Sequence, residues 1–333
     1  MQKTLKIGLI GSSGHCGRAL KIMSEDSECK LTSYAPTHPS ESLERISRFS
    51  CVNEKTTSYK KYEELLNKEE LDLVIVDSVY GFHGTVTLAA LNKGIPVYCE
   101  KPLAKSIKEL EEIESVAKRK DLPIVCMFET RSDPVVATAK KLINDGAIGE
   151  PILAFGQKSY RLGKRPEWYS DPELYVGTIP WVAIHAIDWT RYMTGFEFEE
   201  VSAISARTGP PGPKGLDIAG TIQFKCKEQG SVVITYDYLR PQEAPTHGDD
   251  RFRIVGTEGI IDSVEAEKRF HVILKDKGEV DVDMVETTPL FYQMVQALKG
   301  RGELPMSTED AIASNKAALK GQEAITTGRT LKI

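Results

Sequence analysis

Three stretches of this 333-residue chain carry residue types whose spacing can do chemistry. The first is Gly11-Ser12-Ser13-Gly14-His15-Cys16-Gly17, which follows the apolar run Leu5–Ile10 and opens a helical pattern. A helix start presents free N–H groups and the positive end of the helix dipole, and glycines let an anion approach the backbone. The turn therefore points to a dinucleotide pyrophosphate, with Gly11, Ser13, Gly14, His15 and Cys16 as its contacts. Its spacing is GxxGxxG rather than GxGxxG. The second stretch is Glu100-Lys101-Pro102, directly after the strand-like Val97-Tyr98-Cys99. A lysine at the carboxyl end of a sheet strand can pass a proton to or from a substrate hydroxyl. The third is the helical stretch with Trp181, His185, Asp188 and Tyr192 at i, i+4, i+7 and i+11, hence on one face. There Asp188 can reach His185 at i, i+3 and fix its tautomer or raise its basicity.

Smaller candidates surround these. The tip of the second predicted strand reads Tyr34-Ala35-Pro36-Thr37-His38-Pro39, without the carboxylate that would hold an NAD ribose and without a cation for a 2′-phosphate. Thr37, His38 and Ser40 can hydrogen-bond either form, so the cofactor is expected to be NAD or NADP. Arg131 lies where the first pattern gives way to the second and can meet an anionic or hydroxyl-rich substrate. Tyr160, Arg161, Arg165, Trp168 and Tyr169 form a loop-like stretch suited to sugar stacking, or to an interface. Tyr236, Tyr238, His247 and Asp250 flank the loop 240–249.

These residues need elements to position them. Over residues 1–125 short apolar runs (Leu5–Ile10, Lys30–Ala35, Leu71–Val76, Pro96–Cys99, Pro123–Phe128) alternate with helical stretches at Gly14–Met23, Gly84–Asn92 and Ser106–Lys120 and a charged helical piece within Ser58–Asn67. That alternation predicts an α/β domain with a parallel, doubly wound sheet. Residues 126–333 change character. After a helix over Asp133–Asn144, period-2 segments dominate at Ile152–Tyr160, Glu200–Arg207, Ile218–Cys226, Ser231–Leu239, Arg251–Val255, His271–Lys275 and Val280–Val285. They predict an α+β domain with a mostly antiparallel sheet. A loop is expected at Thr208–Gly215, and helices at Pro180–Met193, Pro289–Leu298 and Thr308–Thr326.

Composition narrows the function classes. Hydrophobic residues are 41% and charged residues 27%, which suits a packed globular core. The net charge of −5 argues against nucleic acid as a partner. The six cysteines form no CxxC pair and no metal-like cluster, so no metal is expected and a reducing, cytoplasmic setting fits. No apolar stretch approaches the ~18–20 residues of a membrane helix, and no targeting segment is seen. GxSxG, HExxH and P-loop patterns are absent.

Five motifs in order and spacing, GLIGSSGHCG at 8–17, PVYCEKPLA at 96–104, GAIGEPI at 146–152, IHAIDWTRYMTG at 184–195 and RIVGTEG at 253–259, resemble the glucose–fructose oxidoreductase/inositol dehydrogenase (Gfo/Idh/MocA) family along nearly the whole chain. The resemblance implies an N-terminal Rossmann domain and a C-terminal domain with a large open sheet. It implies an NAD(P)-dependent oxidoreductase acting on a sugar, inositol or related polyol, and a homodimer or homotetramer built through that sheet. Lys101 matches the family lysine at the nicotinamide and the reacting hydroxyl, with Glu100 and Pro102 as its neighbours. His185 matches the family histidine and Asp188 the aspartate three residues on. Tyr80 and His83 fall where relatives contact the nicotinamide ribose. The expected site is then Lys101 and His185 as catalytic pair, with Arg131, Trp168, Trp181, Asp188 and Tyr238 toward substrate. One departure matters: the family pattern DxGxH puts aspartate where Trp181 stands and glycine where Ala183 stands. It keeps two other readings open, a redox-neutral NAD-dependent glycosidase and a non-catalytic nucleotide-binding sensor or corepressor.

Overall fold

A computed structural model describes residues 4–206, 216–227 and 230–333. The loop expected at Thr208–Gly215 lies outside the described residues. Contacts among Cα atoms divide the chain into two compact units: Met1–Met127 with Glu173–Val176 and Thr288–Asn315, and Phe128–Pro172 with Gly177–Thr287 and Lys316–Ile333.

The first unit runs β1 (Leu5–Ile10), α1 (Gly17–Glu25), β2 (Cys29–Ala35), β3 (Thr57–Ser58), α2 (Tyr62–Lys68), β4 (Leu73–Val76), α3 (His83–Asn92), β5 (Val97–Cys99), α4 (Ile107–Lys120) and β6 (Ile124–Cys126). The strands form one parallel six-stranded sheet in the order β3-β2-β1-β4-β5-β6. Strands covered on both faces read as unbroken apolar runs, and here every residue of β4, β5 and β6 is buried. α4 starts where Ser106 Oγ accepts the Glu109 N–H at 3.2 Å, and it buries Leu110, Ile113, Val116 and Ala117. The order reverses beside β1, so the carboxyl ends of β1, β2 and β4 frame the crevice where open α/β sheets bind ligands. The helical piece expected within Ser58–Asn67 is α2, which follows the short edge strand β3.

The second unit begins with α5 (Pro134–Asn144), capped by Asp133. It continues with β7 (Pro151–Ser159), α6 (Ile184–Thr194), β8 (Phe198–Ala206), β9 (Ala219–Cys226), β10 (Ser231–Asp237), β11 (Arg251–Gly256), β12 (Gly259–Val264), β13 (Arg269–Leu274) and β14 (Gly278–Val280). α7 (Leu290–Leu298) and the opening of α8 (Thr308–Thr327) belong to the first unit, and β15 (Leu331–Lys332) closes the second. Nine strands form one mixed sheet, β14-β13-β12-β11-β7-β10-β9-β8-β15. β7 and β10 run parallel, and the other neighbours antiparallel. Alternation puts Ala154, Ile222, Ile234 and Phe252 inside, and α6 packs on β7 where Gly156 leaves room for Ala186 and Thr190. The opposite face keeps an apolar row, with Leu153 opposite Val255, Val255 opposite Ile260 and Ile260 opposite Ile273. β12, whose pattern Gly-Ile-Ile-Asp-Ser-Val lacks clean alternation, was not expected. Only Gly278–Val280 forms the strand expected at Val280–Val285. The helix expected over Pro180–Met193 opens as a π-turn at Ile179–Ala183 before α6 begins.

Candidate active site

The glycine turn is built around two close approaches. Gly11 has φ +83°, and a Cβ there would lie 2.3 Å from Ser78 Cα. A Cβ on Gly14 would lie 2.5 Å from Asp77 Oδ1 and 2.8 Å from Glu100 Cγ. Only glycine lets the turn lie directly on the tips of β4 and β5. α1 then starts at Gly17 with no side-chain cap and no acid in its first turn, which leaves the positive end of its dipole for a ligand anion. This combination fits a pyrophosphate on Ser13, Gly14, His15 and Cys16.

Beneath the turn lies a buried polar group. Glu100 is fully buried, and its Oε2 accepts the His15 backbone N–H at 3.2 Å and meets His15 Nδ1 at 3.0 Å. Its Oε1 lies 3.4 Å from Lys101 Nζ. Burial opposes the charge on Glu100, but His15 and Lys101 outweigh it and hold the carboxyl at about 2. Asp77 goes the other way: burial first, then repulsion from Glu100, raises it to about 6, against the opposing pull of the neighbouring Cys16 thiol. Glu100 thus ties the turn to the lysine that follows β5. Lys101 itself is 2% exposed.

His83 is fully buried at the start of α3, with Nδ1 2.6 Å from the Pro102 carbonyl and Nε2 2.7 Å from the Ser78 carbonyl. Both ring nitrogens therefore face backbone, so this histidine clasps the tips of β4 and β5. Tyr80 is also buried, 6.0 Å from the rings of His83 and Tyr175.

Beyond the tip of β2 stands a residue that the sequence reading missed, Glu41. Thr37 donates its N–H (2.6 Å) and its hydroxyl (2.8 Å) to Glu41 Oε2, which also accepts His38 N–H at 3.2 Å. Glu41 Oε1 accepts the Ser13 hydroxyl at 3.0 Å and the Val79 N–H at 2.8 Å. No carboxylate stands at the tip of β2, as read, but one arrives from the loop beyond it. The unusual length of Pro36–Asn53 was the available signal. That segment folds back on the turn, with Ser12 Oγ on the Ser42 carbonyl and Arg45 on the carbonyls of Ser12 and Gly14.

In the second unit, Asp188 places both carboxylate oxygens on Arg131, at 2.8 Å to Nε and 2.6 Å to Nη2. Sequence spacing pointed Asp188 at His185; the structure also gives it a bidentate guanidinium from the segment before α5. Arg131 also lies against the rings of Phe128 (5.7 Å) and Tyr192 (4.9 Å). Trp168, Trp181 and Tyr238 come together in one aromatic group. Trp181 meets Trp168 edge-on at 5.6 Å and Tyr169 at 6.1 Å. Arg165 bridges Tyr169 (5.3 Å) and Tyr238 (4.9 Å), and Tyr238 meets Tyr160 at 5.6 Å. Burial raises the phenols of Tyr160 and Tyr169, keeping both protonated and able to donate. Trp181 stands on the π-turn, not on the α-helical face shared by His185 and Asp188.

Residues 5–128 match an oxidoreductase family with an NAD-binding Rossmann fold, and residues 136–262 match the C-terminal domain of the same GFO/IDH/MocA family. The chain belongs to this family. A solved structure from Thermotoga maritima is 38% identical with a TM-score of 0.92, covering 99% of this chain and 100% of that one. Levoglucosan dehydrogenase of Pseudarthrobacter phenanthrenivorans is 26% identical over 88% of this chain and 70% of its own length. A solved levoglucosan dehydrogenase in complex with NADH and levoglucosan superposes with a TM-score of 0.84 at 20% identity, over 99% of this chain and 100% of that chain. Membership bears out the resemblance read from the five motifs, and with it the Rossmann domain and the oxidoreductase class. Among the described residues no group of His, Cys, Asp and Glu is placed to hold a metal, and no helix is long and apolar enough to cross a membrane.

Proposed function

We propose that this family member oxidises or reduces a hydroxyl of a sugar or related polyol with a nicotinamide dinucleotide. The observation that carries the reading is the joining of the glycine turn to Lys101 through buried Glu100, which couples the dinucleotide cradle to a proton-transfer group. A bound nicotinamide supplies the hydride chemistry. The chain supplies the rest. Gly11, Ser13, Gly14, His15 and Cys16 hold the pyrophosphate, and His83 fixes the backbone at Ser78 and Pro102. Lys101 exchanges the hydroxyl proton as hydride moves, and Glu100 keeps a negative charge beside it. His185 anchors substrate. The aromatic group of Trp168, Trp181 and Tyr238 offers apolar faces to sugar C–H groups, and Arg165 and the Tyr160 and Tyr169 hydroxyls offer hydrogen bonds. Levoglucosan dehydrogenase, by its name and its complex, acts on an anhydrosugar, which supports a sugar here.

The test is a screen of aldoses, anhydrosugars and inositols with NAD and NADP, followed by NADH or NADPH fluorescence. Substrate-dependent reduced nucleotide is the expected result. Consumption of a glycoside with no net reduced nucleotide would contradict the reading. We also infer self-association through the open sheet face, where Leu153 and Ile273 are 45% and 41% exposed.

A further inference from the structure

We propose that Glu41 is the residue by which this protein selects the dinucleotide lacking a 2′-phosphate, NAD(H) over NADP(H). The assignment rests on the dinucleotide reading of the first unit.

Three corners define the adenosine side of the crevice: the glycine turn after β1, the tip of β2 and the tip of β4. Glu41 touches all three at once. Ser13 belongs to the turn, Thr37 and His38 to the tip of β2, and Val79 to the tip of β4. Five donors hold the carboxylate there, three of them backbone N–H groups. Such fixing places a negative charge at the ribose end without reliance on a flexible rotamer. A ribose hydroxyl can donate to a carboxylate, whereas a 2′-phosphate brings like charge against it. Of the five donors, the Ser13 hydroxyl is a free rotor, so a ribose hydroxyl can take its place on Oε1 while the backbone donors stay.

Nearby cations do not offset this. Arg45 places its two guanidinium nitrogens on the carbonyls of Ser12 and Gly14, at 2.7 and 2.8 Å, on the turn itself. His38 is engaged with Ser40 at 2.7 Å, and its ring lies 5.9 Å from that of Phe82. The loop 36–46 therefore performs, from outside the strand, the work that a strand-end carboxylate does in other Rossmann domains.

The experiment is a fluorescence titration of the full chain with NADH and with NADPH, for wild type, Glu41→Gln and Glu41→Ser, with far-UV circular dichroism as a folding check. Wild type is expected to bind NADH at least ~30-fold more tightly than NADPH. Glu41→Gln keeps the shape and the acceptor but removes the charge, so NADPH should tighten about tenfold while NADH changes only a few-fold. Glu41→Ser should lose NADH affinity about tenfold and bring the two nucleotides level. Equal weakening of both nucleotides in both variants would make Glu41 a loop clamp only and overturn the assignment. A wild type that prefers NADPH also overturns it, with the dinucleotide reading intact. Failure of the folded wild type to bind either nucleotide would sink both.

Discussion

At the scale of single residues, the site is governed by where charge is buried. Asp77 and Glu100 lie together under the glycine turn and part company in protonation: about 6 for the first, about 2 for the second. The cause is partners. Glu100 has His15 and Lys101 beside it, and Asp77 has mainly the Cys16 thiol. An acid whose folded value lies above its ordinary 3.8 binds more protons folded than unfolded between those values. Its contribution to stability is therefore fully present below about pH 4 and falls until about pH 6. Asp77→Asn removes this loss. Urea melts from pH 4 to 8 should show the variant gaining on wild type up to about pH 6 and holding its lead above it. A difference flat across that range would contradict the buried acid. The candidates Lys101, His185 and Arg131 were singled out from residue type and position in the sequence. Glu41 was not, because a carboxylate's role there depends on a loop fold that no periodicity encodes. Nor was the Arg131 partner of Asp188, since a guanidinium 57 positions away in sequence leaves no mark on helix spacing.

At the scale of elements, the first unit was read almost strand for strand, because strands covered on both faces betray themselves as continuous apolar runs. The second unit was harder. β12 was missed because Gly-Ile-Ile-Asp-Ser-Val lacks clean alternation, and α6 was extended over Trp181 because nothing in a 3.6-residue pattern reveals a π-turn. The proposed function rests cofactor binding on the turn between β1 and α1. Gly11→Ala would force a side chain to φ +83° and against Ser78 Cα at 2.3 Å. Such strain costs about 1–3 kcal/mol at the backbone alone. Calorimetric titration should show NADH affinity falling by more than tenfold, while the circular dichroism spectrum keeps its shape. Unchanged NADH affinity would mean that the turn does not hold the dinucleotide.

At the scale of the whole molecule, the chain forms two compact units: one contains the glycine turn and Lys101, the other His185, the Arg131–Asp188 pair and the aromatic group. The open sheet face of the second unit adds a physical expectation. Leu153, Val255, Ile260 and Ile273 form a row across four paired strands, and Ile204 is 74% exposed on β8. Exposed apolar rows on a monomer are costly in water and mark association surfaces. Leu153→Glu with Ile273→Glu should lower the mass found by sedimentation equilibrium relative to wild type. An unchanged mass would place any assembly elsewhere.

The proposed proton transfer stands most directly on Lys101. The deciding measurement is the single-turnover rate of nicotinamide reduction by a sugar substrate found in the screen, for wild type and Lys101→Ala, with NADH affinity measured on the same samples. The account predicts a rate lowered by about 10²–10⁴-fold, the usual worth of a positioned acid or base, with NADH affinity held within a few-fold. A Lys101→Ala enzyme that reduces the nicotinamide as fast as wild type would contradict it.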